Sequence, residues 1–412
     1  MKSINRILLP VPLVLGLVFA VKPGHAAAGS LDSTFGKGGV TATSGVTGTD
    51  GIINSILLQR DGKILVFVGG TEVLRYTNNG VLDAGFGSNG IAVLPTPVGG
   101  SMALQSNGQI VVGGVVTPTT GGAALGAERL NSDGTPDTSF GNGGLAVVSL
   151  GTRSPNVGTA VLVDPNSGNI LTCTTLINVG RGQPYQTALA RFNSLGSADR
   201  AFGSQGLSIQ TGVSGCSALA LLSSTDILVV NTTKVAQFTS TGGVRSTVTG
   251  GTIVATSQTS AAFEPSIFDT NGDYLFGTEL FVGEESRGHN SSAEVLRFTQ
   301  TGVENANVTF HFVGTGGSGI QALAKGLAIA PNGDIVVVGD QITFMQSGTT
   351  IVDGVARLTP TGSLDPSFGN GGIVVNNIPA STGVVVQPDG NIVTAGFASD
   401  NTTLTLARYL GH

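Results

Sequence analysis

The residue types that could carry chemistry in this chain are an arginine and an aspartate that recur as a pair. Phe-Gly follows the Asp three residues later, and in four copies an Arg stands eight residues before it. The five copies are Asp32, Asp83, Asp137, Asp199 and Asp365. Repeated carboxylates can hold ligands, but an Asp that begins a turn also accepts hydrogen bonds from backbone amides two residues on. We favour the structural interpretation, in which the Arg pairs with the Asp across a tight turn and the Phe fills the gap between repeats.

One polar stretch combines groups suited to acid–base or metal chemistry. It contains Glu284, Glu285, Arg287 and His289. No HxH or HExxH spacing accompanies the histidine, so we expect a solvated loop. The stretch DTNGD at 269–273 resembles the start of a calcium loop, but Tyr274 and Leu280 stand where an EF-hand needs Gly and a carboxylate. We predict a turn there, and no catalytic residue, no cofactor and no metal ion.

The Asp belongs to a motif that recurs along the chain. LDPSFGNGG at 364–372 is matched by LDSTFGKGG at 31–39, LDAGFGSNG at 82–90, PDTSFGNGG at 136–144 and ADRAFGSQG at 198–206. A second landmark is an apolar run broken by a tight turn, as in LLQRDGKILVFVGG. Its copies define units one to seven, which start at Leu57, Met102, Val161, Leu219, Ser266, Leu327 and Val384. Asp-Gly and Asn-Gly between apolar runs predict β-hairpins with type I′ turns.

Each unit reads as strand, tight turn, strand, variable loop, strand, tight turn, motif and strand. Four antiparallel strands per unit and no helical periodicity predict an all-β fold, a β-propeller of seven four-stranded blades. The end of a unit stands alone at 29–40, and the chain finishes with a unit's third strand at 407–412. We expect the N-terminal strand to pair with the C-terminal blade and close the ring, because closure protects strand edges.

The LDxxFGxxG signature resembles that of the delta-60 repeat, a bacterial β-propeller repeat. The resemblance covers nearly the whole chain after residue 28. Units four and five depart from it, since Gly243-Val244-Arg245 and Val303-Glu304-Asn305 replace the Asp-Phe-Gly core. The resemblance implies a propeller and no particular activity, because propellers host many unrelated functions.

The first 28 residues differ from the rest of the chain. Two basic residues precede ILLPVPLVLGLVFAV, and small residues follow it. This pattern predicts a signal peptide over 1–28, cleaved after Ala26 or Ala28, and a single propeller domain over 29–412. A retained membrane anchor is the alternative, but the apolar run is short for a span of ~20 residues. We expect a secreted, periplasmic or cell-surface protein with no integral membrane span in the mature chain.

Charge and cysteine usage bear on partners and compartment. The net charge is −6, and removal of the signal peptide makes it more negative. Because an acidic surface repels phosphate backbones, we expect no nucleic-acid partner. Cys173 and Cys216 lie in consecutive units, and in an exported protein such a pair suggests a disulfide. Two separately buried thiols are the alternative.

Length variation is confined to the connection between the second and third strands of each unit. In a four-stranded meander this connection shares a face with the link to the next unit; we call it the long-loop face, and the other the tight-turn face. Long polar loops on a rigid scaffold are where function concentrates. The candidate segments are 117–126, 177–186, 282–292 and 341–353. The candidate residues are Arg181, Gln183, Tyr185, Glu284, Glu285, Arg287, His289, Gln341 and Asp353.

These features predict a binding or scaffolding module for an extracytoplasmic protein or polysaccharide, without catalysis. The chain has no Trp and four Tyr, so few aromatic platforms can stack on sugars, which favours a protein partner. Two alternatives stay open. One is a propeller-type hydrolase or lyase with its site at the central channel, and the other is a surface protein with no specific ligand.

Overall fold

The computed structural model describes most of the chain after residue 25. The described residues are 26–46, 51–118, 122–177, 185–211, 213, 215–231, 234–257, 266–269, 271–281, 291–313, 319–345, 348–379 and 382–412. Within them the regular structure is β-strand throughout, and no helix is long and apolar enough to span a membrane.

The strands follow one another at short intervals, as the repeat predicts. In chain order they are β1 Val40–Thr43, β2 Ile53–Leu58, β3 Ile64–Val68, β4 Glu72–Tyr76, β5 Ile91–Val93, β6 Val98–Leu104, β7 Ile110–Val116, β8 Ala124–Leu130, β9 Leu145–Ser149, β10 Ser154–Val163, β11 Ile170–Ile177, β12 Gln186–Phe192, β13 Leu207–Thr211, β14 Ala218–Leu222, β15 Ile227–Asn231, β16 Lys234–Phe238, β17 Ile253–Thr256, β18 Ser266–Phe268, β19 Tyr274–Phe281, β20 Ser291–Phe298, β21 Glu304–Phe310, β22 Ile320–Ile329, β23 Ile335–Met345, β24 Gly348–Leu358, β25 Ile373–Asn376, β26 Gly383–Val386, β27 Ile392–Phe397 and β28 Leu404–Tyr409.

The described strands form seven four-stranded sheets, and each pairing is antiparallel. Five sheets are meanders of consecutive strands: β2 to β5, β6 to β9, β10 to β13, β18 to β21 and β22 to β25. A sixth has the order β1-β28-β27-β26, so a strand from the beginning of the chain completes three strands from its end. In the sheet of unit four, the order β16-β15-β14-β17 departs from the expected meander.

The first turn of each unit is a hairpin, but its geometry differs from the prediction. In unit one the backbone N–H of Gln59 donates to the carbonyl of Lys63, and that of Gly62 donates to Gln59. Gly62 has a φ of 82°, whereas Asp61 does not have a positive φ. A type I′ turn needs two such residues, so the predicted turn type was wrong. The loop is a three-residue hairpin whose last residue is a left-handed Gly.

The hydrophobic core consists of layers between neighbouring sheets. One layer joins Phe67 of β3 to Met102 and Val112 of unit two, and another joins Leu162 of unit three to Leu219 of unit four. The first strands of the sheets contact one another in the order β2, β6, β10, β14, β18, β22, β26 and back to β2. Each sheet thus buries both faces against its neighbours, which explains why the second and third strands are continuous apolar runs.

Candidate functional site

The motif Asp organises a turn and pairs with the preceding strand. In unit two, Oδ1 of Asp137 accepts hydrogen bonds from the backbone N–H of Ser139 at 3.0 Å and from its hydroxyl at 2.6 Å. Oδ2 of Asp137 accepts from Nε of Arg129 at 2.8 Å. Equivalent bonds form at Asp32, Asp83, Asp199 and Asp365. The predicted Arg–Asp pairs and turn hydrogen bonds are confirmed.

The guanidinium of each such Arg also reaches the next unit. Nη1 of Arg129 donates to the carbonyl of Ser194 in unit three at 2.7 Å. Nη1 of Arg408, in the last strand, donates to the carbonyl of Asn78 in unit one at 2.7 Å. We call this bond between units a latch. Six arginines form one: Arg75, Arg129, Arg191, Arg297, Arg357 and Arg408.

The motif Phe fills the space beneath the latch. Phe140 is fully buried, and the guanidinium carbon of Arg129 lies 4.4 Å from its ring centroid. A turn of the next unit packs on the ring so closely that a Cβ added at Gly196 would lie 3.0 Å from it. Cation–π attraction and apolar burial therefore act at the same point.

The electrostatics of these carboxylates fit a structural role. Burial alone would raise the pKa of Asp137, but hydrogen bonds from Ser139 and the charge of Arg129 outweigh it. The pKa of Asp137 therefore lies below its ordinary value. The ionised Asp137 therefore stabilises the folded state at pH values above 3.8, the ordinary pKa of the group. This stabilisation is lost as the pH falls through the pKa of the folded state.

Unit four replaces this arrangement with a pair of reversed charge. Gln237 stands in the place of the Arg, and its Nε2 donates to Oδ2 of Asp226 at 2.9 Å. Arg245 stands in the place of the motif Asp and donates to the same oxygen at 2.6 Å. In unit one the corresponding pair is Lys63 and Asp83, whose charged atoms lie 3.1 Å apart. The ion pair inside the unit is kept, but in the described part of the chain Gln237 forms no latch.

Most of the candidate residues on the long loops lie outside the described part of the chain. They are Arg181, Gln183, Glu284, Glu285, Arg287 and His289. Tyr185, at the end of the loop that follows β11, is described and is 52% exposed. Among the described residues, no three His, Cys, Asp or Glu side chains are placed to hold a metal ion.

The segment 341–353 is not the polar loop that its composition predicts. Its described residues, 341–345 and 348–353, belong to β23 and β24, which pair along 11 residues of each strand and form a long hairpin. Gln341 is buried, and its side chain accepts from the backbone N–H of Val313 at 2.9 Å and donates to the carbonyl of Val313 at 3.1 Å. Gln341 therefore holds the preceding link in place and is not an exposed binding residue. Asp353 is half-buried in β24, opposite Asp340 of β23.

One face of this unit-six hairpin combines polar and apolar groups. Near its base Lys325 Nζ donates to Oδ2 of Asp340 at 2.5 Å, while Oδ1 of Asp340 is buried without a hydrogen-bond partner among the described residues. Towards its tip the same face carries Phe344, 43% exposed, and Ile351, 58% exposed. Sequence reasoning missed these residues, although alternating apolar positions in QITFM were the available signal. The arrangement suits recognition of a surface with both apolar and polar groups.

The described residues also form a cleft on the opposite, tight-turn face. It has a volume of about 870 Å³ and lies among the first turns of units one, two and three. Arg60, Asp61, Lys63, Asp133 and Asp164 line it. The cleft does not coincide with the predicted loops, and its charged groups come from turns whose main role is to join strands.

Glu128 is a buried carboxyl that the repeat pattern did not reveal. It lies on β8 with 1% of its surface exposed, between Val112 and Leu145 of the neighbouring strands. The backbone N–H of Thr96, in the link from unit one, donates to Oε2 at 3.4 Å. Burial raises the pKa of Glu128 to about 7, and the hydrogen bond from Thr96 only partly offsets this. The carboxyl therefore changes charge near neutral pH.

Units three and four are joined covalently. Cys173 of β11 and Cys216, just before β14, form a disulfide with a Cα–Cα distance of 6.1 Å. Both residues are fully buried in the layer between the two sheets.

Sequence comparison agrees with the architecture. Residues 59–86, 105–140 and 330–368 match the family described as "Domain of unknown function (DUF5122) beta-propeller". The three matches fall on latched units, and the β-propeller description of the family agrees with the four-stranded sheets. A search of curated proteins found no match.

Solved structures resemble the chain only distantly. A luciferin-regenerating enzyme is 10% identical over 90% of this chain and 96% of that chain, with a TM-score of 0.41. A polysaccharide lyase is 11% identical over 94% of each chain, with a TM-score of 0.38. A gluconolactonase from Xanthomonas campestris is 10% identical over 94% of this chain and 99% of that chain, with a TM-score of 0.35.

Proposed function

We propose that this chain is an exported, closed seven-bladed propeller of the delta-60 type that acts as a binding or scaffolding module. Its partner would be an extracytoplasmic protein or polysaccharide, and a protein is the better fit. The long-loop face would make the contact, while the latches on the tight-turn face keep the ring rigid. The contribution of the chain would be recognition and not turnover.

Closure of the ring is supported from both ends of the chain. Val40 and Thr43 of β1 pair with Ala407 and Leu404 of β28. The latch from Arg408 to Asn78 then joins the completed seventh sheet to unit one. Export through a signal peptide over 1–28 agrees with the disulfide, because disulfides persist in oxidising compartments.

The observation that carries the binding proposal is the hairpin of unit six. Its strands are 11 residues long, whereas the corresponding β3 and β4 of unit one have five each, so the hairpin extends further at the long-loop face. The extended part carries Phe344 and Ile351 side by side on one face, both exposed. Large apolar side chains next to one another on a rigid element are typical of the centre of a binding surface.

The test compares three forms of residues 27–412. They are the wild type, Phe344→Ser/Ile351→Ser, and a control, Val81→Ser/Leu195→Ser, that removes equally exposed apolar residues from the tight-turn face. Each form is immobilised, and captured periplasmic or secreted proteins and cell-surface saccharides are compared quantitatively. We expect the hairpin variant alone to lose the specific partner.

Two results would count against the proposal. Equal capture by all three forms would show that the hairpin does not contact the partner. Turnover of a captured saccharide by the wild type would show that the protein is an enzyme and not only a binding module. Melting temperatures of the three forms, measured in parallel, separate a lost contact from a lost fold.

A further inference from the structure

The fourth strand of unit four occupies an unusual place in its sheet. In unit one, β5 follows β4 after 14 residues and pairs with it at the outer edge, Val73 opposite Ala92. In unit four, β17 also follows β16 after 14 residues, yet it pairs with β14 at the inner edge. There it contacts β10 of unit three. In the described part of the chain, the outer edge of β16 has no paired strand.

A single carbonyl marks where the two paths separate. In unit one the carbonyl of Gly90 accepts from the backbone N–H of Arg75 on the third strand. In unit four Thr252 follows Gln237 by as many residues as Gly90 follows Arg75. The carbonyl of Thr252 accepts a hydrogen bond from the backbone N–H of Ser223, at the first turn, at 2.7 Å. The chain has thus crossed the tight-turn face from the outer edge to the inner edge. The earlier bond, from Arg245 N–H to the carbonyl of Gln237, is kept as in the units that carry the motif.

Backbone conformation explains the crossing. The outer path of unit one passes through Gly87 with φ 51° and Gly90 with φ 98°. Unit four has Thr249 and Thr252 at these two places, and β-branched residues rarely adopt such angles. Outer pairing of β17 by the path that unit one takes would therefore strain two threonines.

The inner position has a cost of its own. Val254 of β17 is 37% exposed, whereas Ala92 and Ala146, at the same place in β5 and β9, are buried. The inner path also leaves the β16 edge unpaired, which is unfavourable for an apolar strand. Nine residues separate Thr256 from Ser266, as many as separate Thr43 from Ile53, so the following link is long enough for either position.

We propose that β17 exchanges between the inner edge of β14 and the outer edge of β16. The outer register follows from unit one: Val235 opposite Val254, and Ala236 opposite Ile253. In this state unit four becomes a regular meander, and the space among the first strands widens because β17 has left it. Glycine at 249 and 252 would favour the outer state.

Two cysteine pairs report the two states. Ala220→Cys/Thr256→Cys joins registered partners of the inner state, and Val235→Cys/Val254→Cys joins those of the outer state. Each pair fits the Cα separation that a disulfide spans. The full mature chain is oxidised in a redox buffer, and peptide mapping by mass spectrometry separates the new bond from Cys173–Cys216. Each pair is also made with Thr249→Gly/Thr252→Gly, and with Thr239→Gly/Thr241→Gly as a matched control in the preceding turn.

We expect both intramolecular bonds to form in the parent chain. The Thr249→Gly/Thr252→Gly change should raise the rate of outer cross-linking about tenfold or more, since it relieves strain at two residues, and the control should leave it unchanged. Inner cross-linking alone, even with both glycines, would overturn the proposal. Outer cross-linking alone would also overturn the proposal, because it would show that β17 stays at the outer edge of β16. An outer bond found only between two chains would assign the β16 edge to a second copy instead.

Discussion

The junction between units two and three and the junction between units four and five solve the same packing problem differently. At the first, Arg129 binds Asp137 in its own unit and Ser194 in the next, and it covers the buried ring of Phe140. Burial, charge and a hydrogen bond between units all act at one place. Removal of Arg129 leaves Asp137 with hydrogen bonds from Ser139 and Gln109 but without its cation.

At the second junction, none of these groups is kept. Gln237, Arg245 and Val248 stand in the places of Arg, Asp and Phe. Val235 of β16 lies near Gly302 of unit five, at the place where a Phe ring of the preceding unit packs on Gly80, Gly134, Gly196 and Gly242. The latch therefore also guides the fourth strand. Unit five lacks the motif but keeps the latch of Arg297, and its fourth strand β21 pairs at the outer edge, whereas among the described residues unit four has neither and its β17 lies at the inner edge.

The largest expected effect is at the latched junction. Phe140→Ala should lower the free energy of unfolding by up to about 5 kcal/mol, because it leaves a cavity beneath Arg129 and next to Gly196. Val248→Ala should cost less than about 2 kcal/mol, because it removes fewer carbons from a partly buried site. Urea unfolding monitored by circular dichroism measures both. Equal losses would mean that the two junctions do not differ in strength.

The next prediction concerns the junction between units three and four, which the disulfide joins. Cys173→Ala/Cys216→Ala should lower the free energy of unfolding by about 4 kcal/mol, since the bond closes a sequence separation of 43 residues. Because unit four has no latch to unit five, its amides should lose hydrogen-exchange protection first. Reduced wild-type protein serves as the control. Two reactive thiols in denatured, unreduced protein would contradict the pairing.

Charge exchange at the latch should have a somewhat smaller effect. Arg129→Gln copies unit four and should cost about 3 kcal/mol, because it leaves the nearly buried Asp137 without its cation. The reverse change, Gln237→Arg/Arg245→Asp, would rebuild the arrangement of unit six, where Arg357 lies between Asp334 and Asp365.

Thermal unfolding checks both variants. The melting temperature should fall for Arg129→Gln and rise for Gln237→Arg/Arg245→Asp. If the rebuilt unit four is as unstable as Arg129→Gln, the latch does not transfer between units. Arg129→Lys serves as a control for charge alone, since Lys cannot bind Asp137 and Ser194 with the geometry of a guanidinium.

The parts of the fold that follow from local chemistry could be predicted from the sequence. The roles of Asp137, Arg129 and Phe140 follow from a repeated motif, and pairing of β1 with the last unit follows from the incomplete units at the chain ends. The turn type was wrong because Asp61-Gly62 was interpreted without the number of residues in the loop. Each of these depends on a few neighbouring residues.

The parts that depend on competition between distant elements could not be predicted. The inner position of β17 depends on φ at Thr249 and Thr252, which a strand pattern does not display. The hairpin around Gln341 was interpreted as a loop because its polar residues outweigh its alternation, yet one of them is buried against a link from another unit. Glu128 precedes Arg129 in the otherwise apolar run ALGAERL, and its place on a strand of the core was the only sign of its burial.

The smallest effect on stability concerns Glu128. Its buried carboxyl destabilises the folded state when it is ionised. Its pKa is raised from 4.5 to about 7, so the folded state favours the neutral carboxyl. The wild type should therefore lose stability as the pH rises from about 4.5 towards 7, and the loss should be complete above the folded-state pKa. Glu128→Gln does not titrate and should escape this loss.

The expected gain for Glu128→Gln is on the order of 1 to 3 kcal/mol at pH 8 and near zero at pH 4.5. Melting temperatures of the two proteins across this range give the difference directly. The titration of Asp137 does not disturb it, because Asp137 is present in both proteins and its pKa lies below its ordinary value of 3.8. Glu128→Asp keeps an ionisable group and should keep the pH dependence. A gain that is equal at pH 4.5 and 8 would show that the variant acts through packing, and that the carboxyl is not charged at this junction.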